Sequence, residues 1–124
     1  MSRLSEIANQ LVAPGKGILA ADESTGTIKK RFDSISLEST ETNRRDYREM
    51  LFGATEAMTD YISGVILFDE TIRQSAADGT PFVDMLRATN CLPGIKVDTG
   101  AKPMPGYIDE TVTEGLDGLR DRLA

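Results

Sequence analysis

The chemistry in this chain concentrates where short apolar runs stop on charge. Ile18-Leu19-Ala20-Ala21 ends on Asp22-Glu23-Ser24-Thr25-Gly26. A carboxylate at the edge of an apolar core is costly unless a partner holds it or a reaction uses it. Asp22 has two readings. It is a reactive group at the C-terminal end of a buried strand, where barrel enzymes place catalytic residues, or Asp22 or Ser24 caps the helix that follows. Gly94-Ile95-Lys96-Val97-Asp98 repeats the pattern. Side chains alternate along a strand, so Lys96 and Asp98 share one face while Ile95 and Val97 share the other. With the apolar face turned to helices, Lys96 points inward and needs a partner, for which Asp98 and Asp22 are the candidates. Lys96 is then a structural ion pair, a cation for phosphate, or a lysine tuned for imine chemistry.

Histidine is absent from the 124 residues. That removes the usual zinc ligands and the imidazole base of Ser-His-Asp and Cys-His mechanisms. Within this chain, acid–base work falls to carboxylate, lysine and tyrosine. The net charge of −6 argues against a general nucleic-acid binder, and Lys29-Lys30-Arg31 is too short a basic run to change that. The single cysteine, Cys91, forbids an internal disulfide, and its apolar neighbours point to a buried, inert thiol. No apolar run approaches membrane-spanning length and the N-terminus lacks a signal-peptide core, so no membrane partner and a cytoplasmic location are expected. Ala13-Pro14-Gly15-Lys16-Gly17 imitates a phosphate loop, but Lys16 lacks the following Ser or Thr and no strand precedes it. Gly15 and Gly17 lack the third glycine of a dinucleotide fingerprint.

The elements that must position these groups alternate. Leu4, Ile7, Ala8 and Leu11 give a short helix over residues 2–12. After the Pro14-Gly15 break come a strand over 17–22, a loop over 24–27 and a short helix over 27–34. Residues 36–42 read as loop, and 43–58 as one helix with Tyr47, Leu51, Ala54 and Met58 on its apolar face and Thr42 or Asn43 as cap. The second strand, 64–68, is apolar on both faces and also ends in acid, Asp69-Glu70. Thr80 is the expected cap and Pro81 the first residue of the next helix, with Phe82, Met85 and Leu86 on its apolar face. Residues 95–98 form the third strand, 99–109 a loop, and 115–123 carry helical spacing through Leu116, Leu119 and Leu123. Strand–helix three times over predicts an α/β fold of parallel βα units.

The stretches Ala13–Gly26, Gly64-Val65-Ile66-Leu67-Phe68, Gly94-Ile95-Lys96-Val97-Asp98 and Glu114-Gly115-Leu116-Asp117-Gly118-Leu119 resemble class I fructose-bisphosphate aldolase. The resemblance runs through nearly the whole chain but covers only the N-terminal part of that family's domain. It implies that residues 1–124 are about three βα units of a (β/α)8 TIM barrel, an architecture that typically takes about 250 residues. It implies cleavage of fructose 1,6-bisphosphate to dihydroxyacetone phosphate and glyceraldehyde 3-phosphate through a lysine imine, in glycolysis, with no cofactor and no metal. By the same resemblance Asp22 handles the C4 hydroxyl proton, and Lys96 binds substrate oxygens and favours a neutral amine on the nucleophile. Ser24, Thr27 and Arg31 match a phosphate-binding segment and Arg44 a further substrate-binding arginine. The implied partner is a small sugar phosphate, and the complete protein is implied to be a homo-oligomer, a tetramer. The family's imine lysine lies on a later strand, so the chain alone is expected to be inactive. Two other readings stand beside this one: a non-catalytic phosphate-binding module, and a barrel half that assembles with a separate partner.

Overall fold

The computed structural model describes residues 2–124. Three parallel strands form its sheet, β1 (Gly17–Ala21), β2 (Ile62–Leu67) and β3 (Leu92–Ile95), in the order β1-β2-β3. The register pairs Ala21 with Leu67 and Leu67 with Ile95, so the three strands end level with one another. Whatever follows them is gathered at one edge of the sheet. Parallel strands need crossover connections, and helices supply them here.

The helix α1 (Arg3–Leu11) precedes β1, and Ser2 accepts its cap bond from the Ser5 N–H at 3.3 Å. The Pro14-Gly15 turn is real: Gly15 has φ +78°, a conformation that glycine adopts without strain. The helix α2 (Thr25–Asp33) begins two residues earlier than the spacing predicts, so Thr25 and Gly26 are helical rather than loop. The expected single helix over 43–58 is two, α3 (Glu41–Phe52) and α4 (Thr55–Tyr61), parted at Gly53. Thr40, not Thr42 or Asn43, caps α3 by accepting from the Asn43 N–H at 3.1 Å. The buried stripe of α3 also lies one residue along, on Arg48 and Phe52 rather than Tyr47 and Leu51.

Beyond β2 a single helical turn, α5 (Asp69–Ile72), follows directly on the strand. In α6 (Phe82–Ala88), Pro81 takes the cap position that the sequence gives to Thr80. β3 ends at Ile95, so Lys96 and Asp98 sit just past the strand rather than in it. One ladder bond continues, the Lys96 N–H donating to the Leu67 carbonyl at 2.8 Å. The Gly- and Pro-rich stretch after it is not loop. It forms an antiparallel hairpin of β4 (Gly100–Pro103) and β5 (Thr111–Glu114). Helical spacing from residue 115 yields only α7 (Leu119–Leu123), with Leu116 left exposed.

The core lies on one side of the sheet. Ala21, Val65 and Leu67 meet Phe52, Met58, Phe82, Leu86 and Cys91, all buried. Phe52 and Phe82 join α3 to α6 edge to face, with ring centroids 5.3 Å apart. The other side is only partly covered, by Ile7 and Leu11 of α1. Ile18 remains 49% exposed there, so both faces are apolar, as expected, but not both are buried.

Candidate functional site

Period-two alternation places Leu19 and Ala21 on the core side of β1, and Ile18 and Ala20 on the open side. One residue on, Asp22 continues to the open side. Lys96 reaches the same side from β3. The two strands are separated by β2, yet Lys96 Nζ lies 3.4 Å from Asp22 Oδ2 and 2.6 Å from Asp98 Oδ2. The sequence named both partners, and both are used.

The triad borders a cavity of about 710 Å3 at the C-terminal edge of the sheet. Each strand of the parallel sheet contributes: Asp22, Glu23 and Ser24 after β1, Phe68 and Asp69 after β2, and Lys96, Asp98 and Thr99 after β3. Thr27 faces it from the first turn of α2, and Arg122 from α7. Ser24 stands at the α2 cap position but makes no capping bond with its side chain. Its hydroxyl instead lies 3.2 Å from that of Thr27. Asp22, Ser24, Thr27 and Lys96 are therefore brought together; of the two capping candidates Ser24 holds the cap position, through its backbone and not its hydroxyl, and Asp22 does not.

Arg31 and Arg44 do not line this cavity. Arg31 pairs with Glu23 and donates to the Tyr47 hydroxyl at 3.2 Å. Arg44 makes a fork-to-fork pair with Glu70, Nε and Nη2 each 2.7 Å from a carboxylate oxygen. The Arg31 side chain is 53% exposed, whereas that of Arg44 is 13% exposed.

Electrostatics sort the charged groups. The hydrogen bond to Asp98 holds Lys96 above its ordinary value, with Asp22 acting in the same direction against partial burial. The bond from Lys96 holds Asp98 below its own. Both carboxylates thus favour the ammonium form of Lys96. Burial pushes Glu23 up, but the bond from Arg48 and the charges of Arg48 and Arg31 outweigh it and hold the carboxyl low. The bond from Arg44 does the same for Glu70.

Two arginines were not legible as part of this region. Arg122 donates to the carbonyls of Val97 and Gly115 at 2.9 and 2.6 Å, bracing the segment that carries Lys96 and Asp98. Arg48 is buried and pairs with Glu23. The available signal for Arg48 was Phe52, four residues on, which marks the buried stripe. Among the described residues no group of three or more His, Cys, Asp or Glu is placed to hold a metal ion. No helix among them is long and apolar enough to cross a membrane.

The glycolytic family of class-I fructose-bisphosphate aldolases matches residues 3–124. The chain is 58% identical over 123 residues to a probable class 1 fructose-bisphosphate aldolase of Xanthomonas axonopodis pv. citri, covering 99% of this chain and 36% of that one. It is 57% identical over 124 residues to a fructose-bisphosphate aldolase of Echinococcus multilocularis, covering 34% of that protein. A solved aldolase from Plasmodium falciparum, in a ternary complex with TRAP and a small-molecule inhibitor, superimposes with a TM-score of 0.90 at 54% identity. That match covers 96% of this chain and 34% of the other. The chain spans about a third of the length of the relatives it matches.

Proposed function

The chain belongs to the class-I fructose-bisphosphate aldolase family, and from that premise we propose that it supplies the first three βα units of a (β/α)8 barrel. The complete protein cleaves fructose 1,6-bisphosphate reversibly to dihydroxyacetone phosphate and glyceraldehyde 3-phosphate, as a cytoplasmic, tetrameric enzyme of glycolysis. The observation that carries this is the meeting of Asp22 and Lys96 at 3.4 Å, from strands two places apart, at the C-terminal mouth of the sheet.

The roles are those the family resemblance implies, and the placement of Asp22, Ser24, Thr27 and Lys96 around one cavity supports them. Asp22 faces the cavity beside the Lys96 ammonium, where its carboxylate takes the C4 hydroxyl proton as the carbon–carbon bond breaks. Lys96, held charged by Asp98, binds a substrate oxygen and penalises a second ammonium nearby. A neighbouring lysine on a later strand is thereby kept neutral enough to form an imine. Ser24 and Thr27 offer hydroxyls to a phosphate. Arg31 joins them by turning from Glu23 into the cavity. Arg44 acts from its pair with Glu70, at the rim of the same edge. Residues 1–124 alone are proposed to be inactive, because their one cavity lysine is held as a cation.

The chelator experiment tests the class of chemistry. The full-length protein is expected to keep its cleavage activity in EDTA. Activity lost in EDTA and restored by zinc would refute the imine reading.

A further inference from the structure

Arg48 is the largest fully buried side chain among the described residues and the one charged residue so buried, at 1% exposure. A guanidinium survives in a core only where partners satisfy it, and an apolar residue of like volume is often no less stable. Core packing therefore does not account for an arginine here. Its Nη1 pairs with a Glu23 carboxylate oxygen, and its Nη2 donates to the Glu23 main-chain carbonyl at 3.1 Å. Its Nε makes no hydrogen bond among the described residues. Both bonds thus converge on the one residue that follows Asp22. The first fixes the Glu23 side chain. The second fixes a peptide plane, and with it the direction in which the chain leaves β1.

Arg48 does not line the cavity; Glu23 does. Arg31 holds the same carboxylate from the solvent side, with its own side chain 53% exposed. Resting on the reading of Asp22 as the proton-handling carboxylate, we propose that Arg48 is a positioning residue. Acting through Glu23, it holds the turn that presents Asp22 and Ser24 to the cavity. When Arg31 turns toward a phosphate, Arg48 keeps Glu23 paired and the turn in place.

The test uses the full-length protein and four forms of it: wild type, Asp22→Asn, Arg48→Lys and the double variant. Lysine keeps the charge but lacks the planar fork that engages two atoms of Glu23 together. Arg48→Lys is expected to lower kcat by about 10²-fold, the scale of a misplacement near 1 Å, with KM nearly unchanged. The double variant is expected to be no slower than Asp22→Asn, because the two residues act as one unit. A lowered Tm with normal kcat per folded enzyme would overturn the proposal, and so would two effects that simply multiply. If Arg48→Lys does not fold, Glu23→Gln removes the same ionic link and is held to the same outcomes. Wild-type turnover in Asp22→Asn would refute the reading of the site, and the proposal with it. A slow Asp22→Asn beside a normal Arg48→Lys would refute the proposal alone.

Discussion

Asp22 and Lys96 are two ordinary side chains made unusual by where their strands stop. Neither is fully buried, each keeping 26% of its side-chain surface, so substrate can reach both. Asp22→Asn in the full-length protein is expected to cut turnover by about 10²–10⁴-fold, the usual contribution of a general acid–base group, while leaving the melting temperature near wild type. Steady-state kinetics on folded protein check this, and near-normal turnover would sink the assignment. Both residues were legible because apolar runs that end in charge are rare and period-two alternation assigns their faces. The buried Arg48 was not. An arginine in a sequence dense with charge reads as a solvated helix face, and the one signal against that, Phe52 four residues on, was outweighed by the Tyr47 and Leu51 stripe beside it. Arg31 and Arg44 were legible as candidates, but their partners Glu23 and Glu70 were not. Those pairings join residues 8 and 26 positions apart across different elements.

The elements carry the site by ending together. The parallel alternation of strands and helices was readable from composition and breakers. The split at Gly53, the hairpin of β4 and β5 and the early end of β3 were not, because tertiary contacts set them. Gly115 shows such a contact. A Cβ there would lie 2.5 Å from the Val97 carbonyl oxygen and 2.9 Å from the Asp98 Cα, both main-chain atoms unable to yield cheaply. Gly115→Ala is expected to cost about 1–3 kcal/mol, the range for overpacking. It should also move Asp98 off Lys96; chemical denaturation and a crystal structure of the variant check both effects. The pair of Arg44 on α3 with Glu70 on α5 predicts an acid dependence. Glu70 is held below its ordinary value of 4.5, so its contribution is present above that value and is lost as the pH falls through the lowered one. Wild type should exceed Glu70→Gln by about 1 kcal/mol near neutrality. The gap should close in acid. A gap that persists with Glu70 protonated would contradict the pairing.

At the scale of the whole molecule, the sheet is finished on one side only. Its core side is sealed by α3, α4 and α6, whereas its open side shows Ile18 at 49% exposure and an apolar groove along β2 and β3. Only β2 is paired on both edges, so β1 and β3 each present an open edge. Residues 1–124 expressed alone are therefore expected to be poorly soluble and to lack cleavage activity. A monomer that melts cooperatively and cleaves fructose 1,6-bisphosphate would contradict this. A cooperative monomer that only binds phosphate would favour the binding-module reading. Lys96 is proposed as the charged neighbour of an imine-forming lysine and not as that lysine itself. Borohydride reduction of the full-length protein in the presence of dihydroxyacetone phosphate, followed by peptide mapping, tests it most directly. A trapped adduct on a lysine outside residues 1–124, with Lys96 unmodified, is expected. No adduct at all, or an adduct on Lys96, would contradict it.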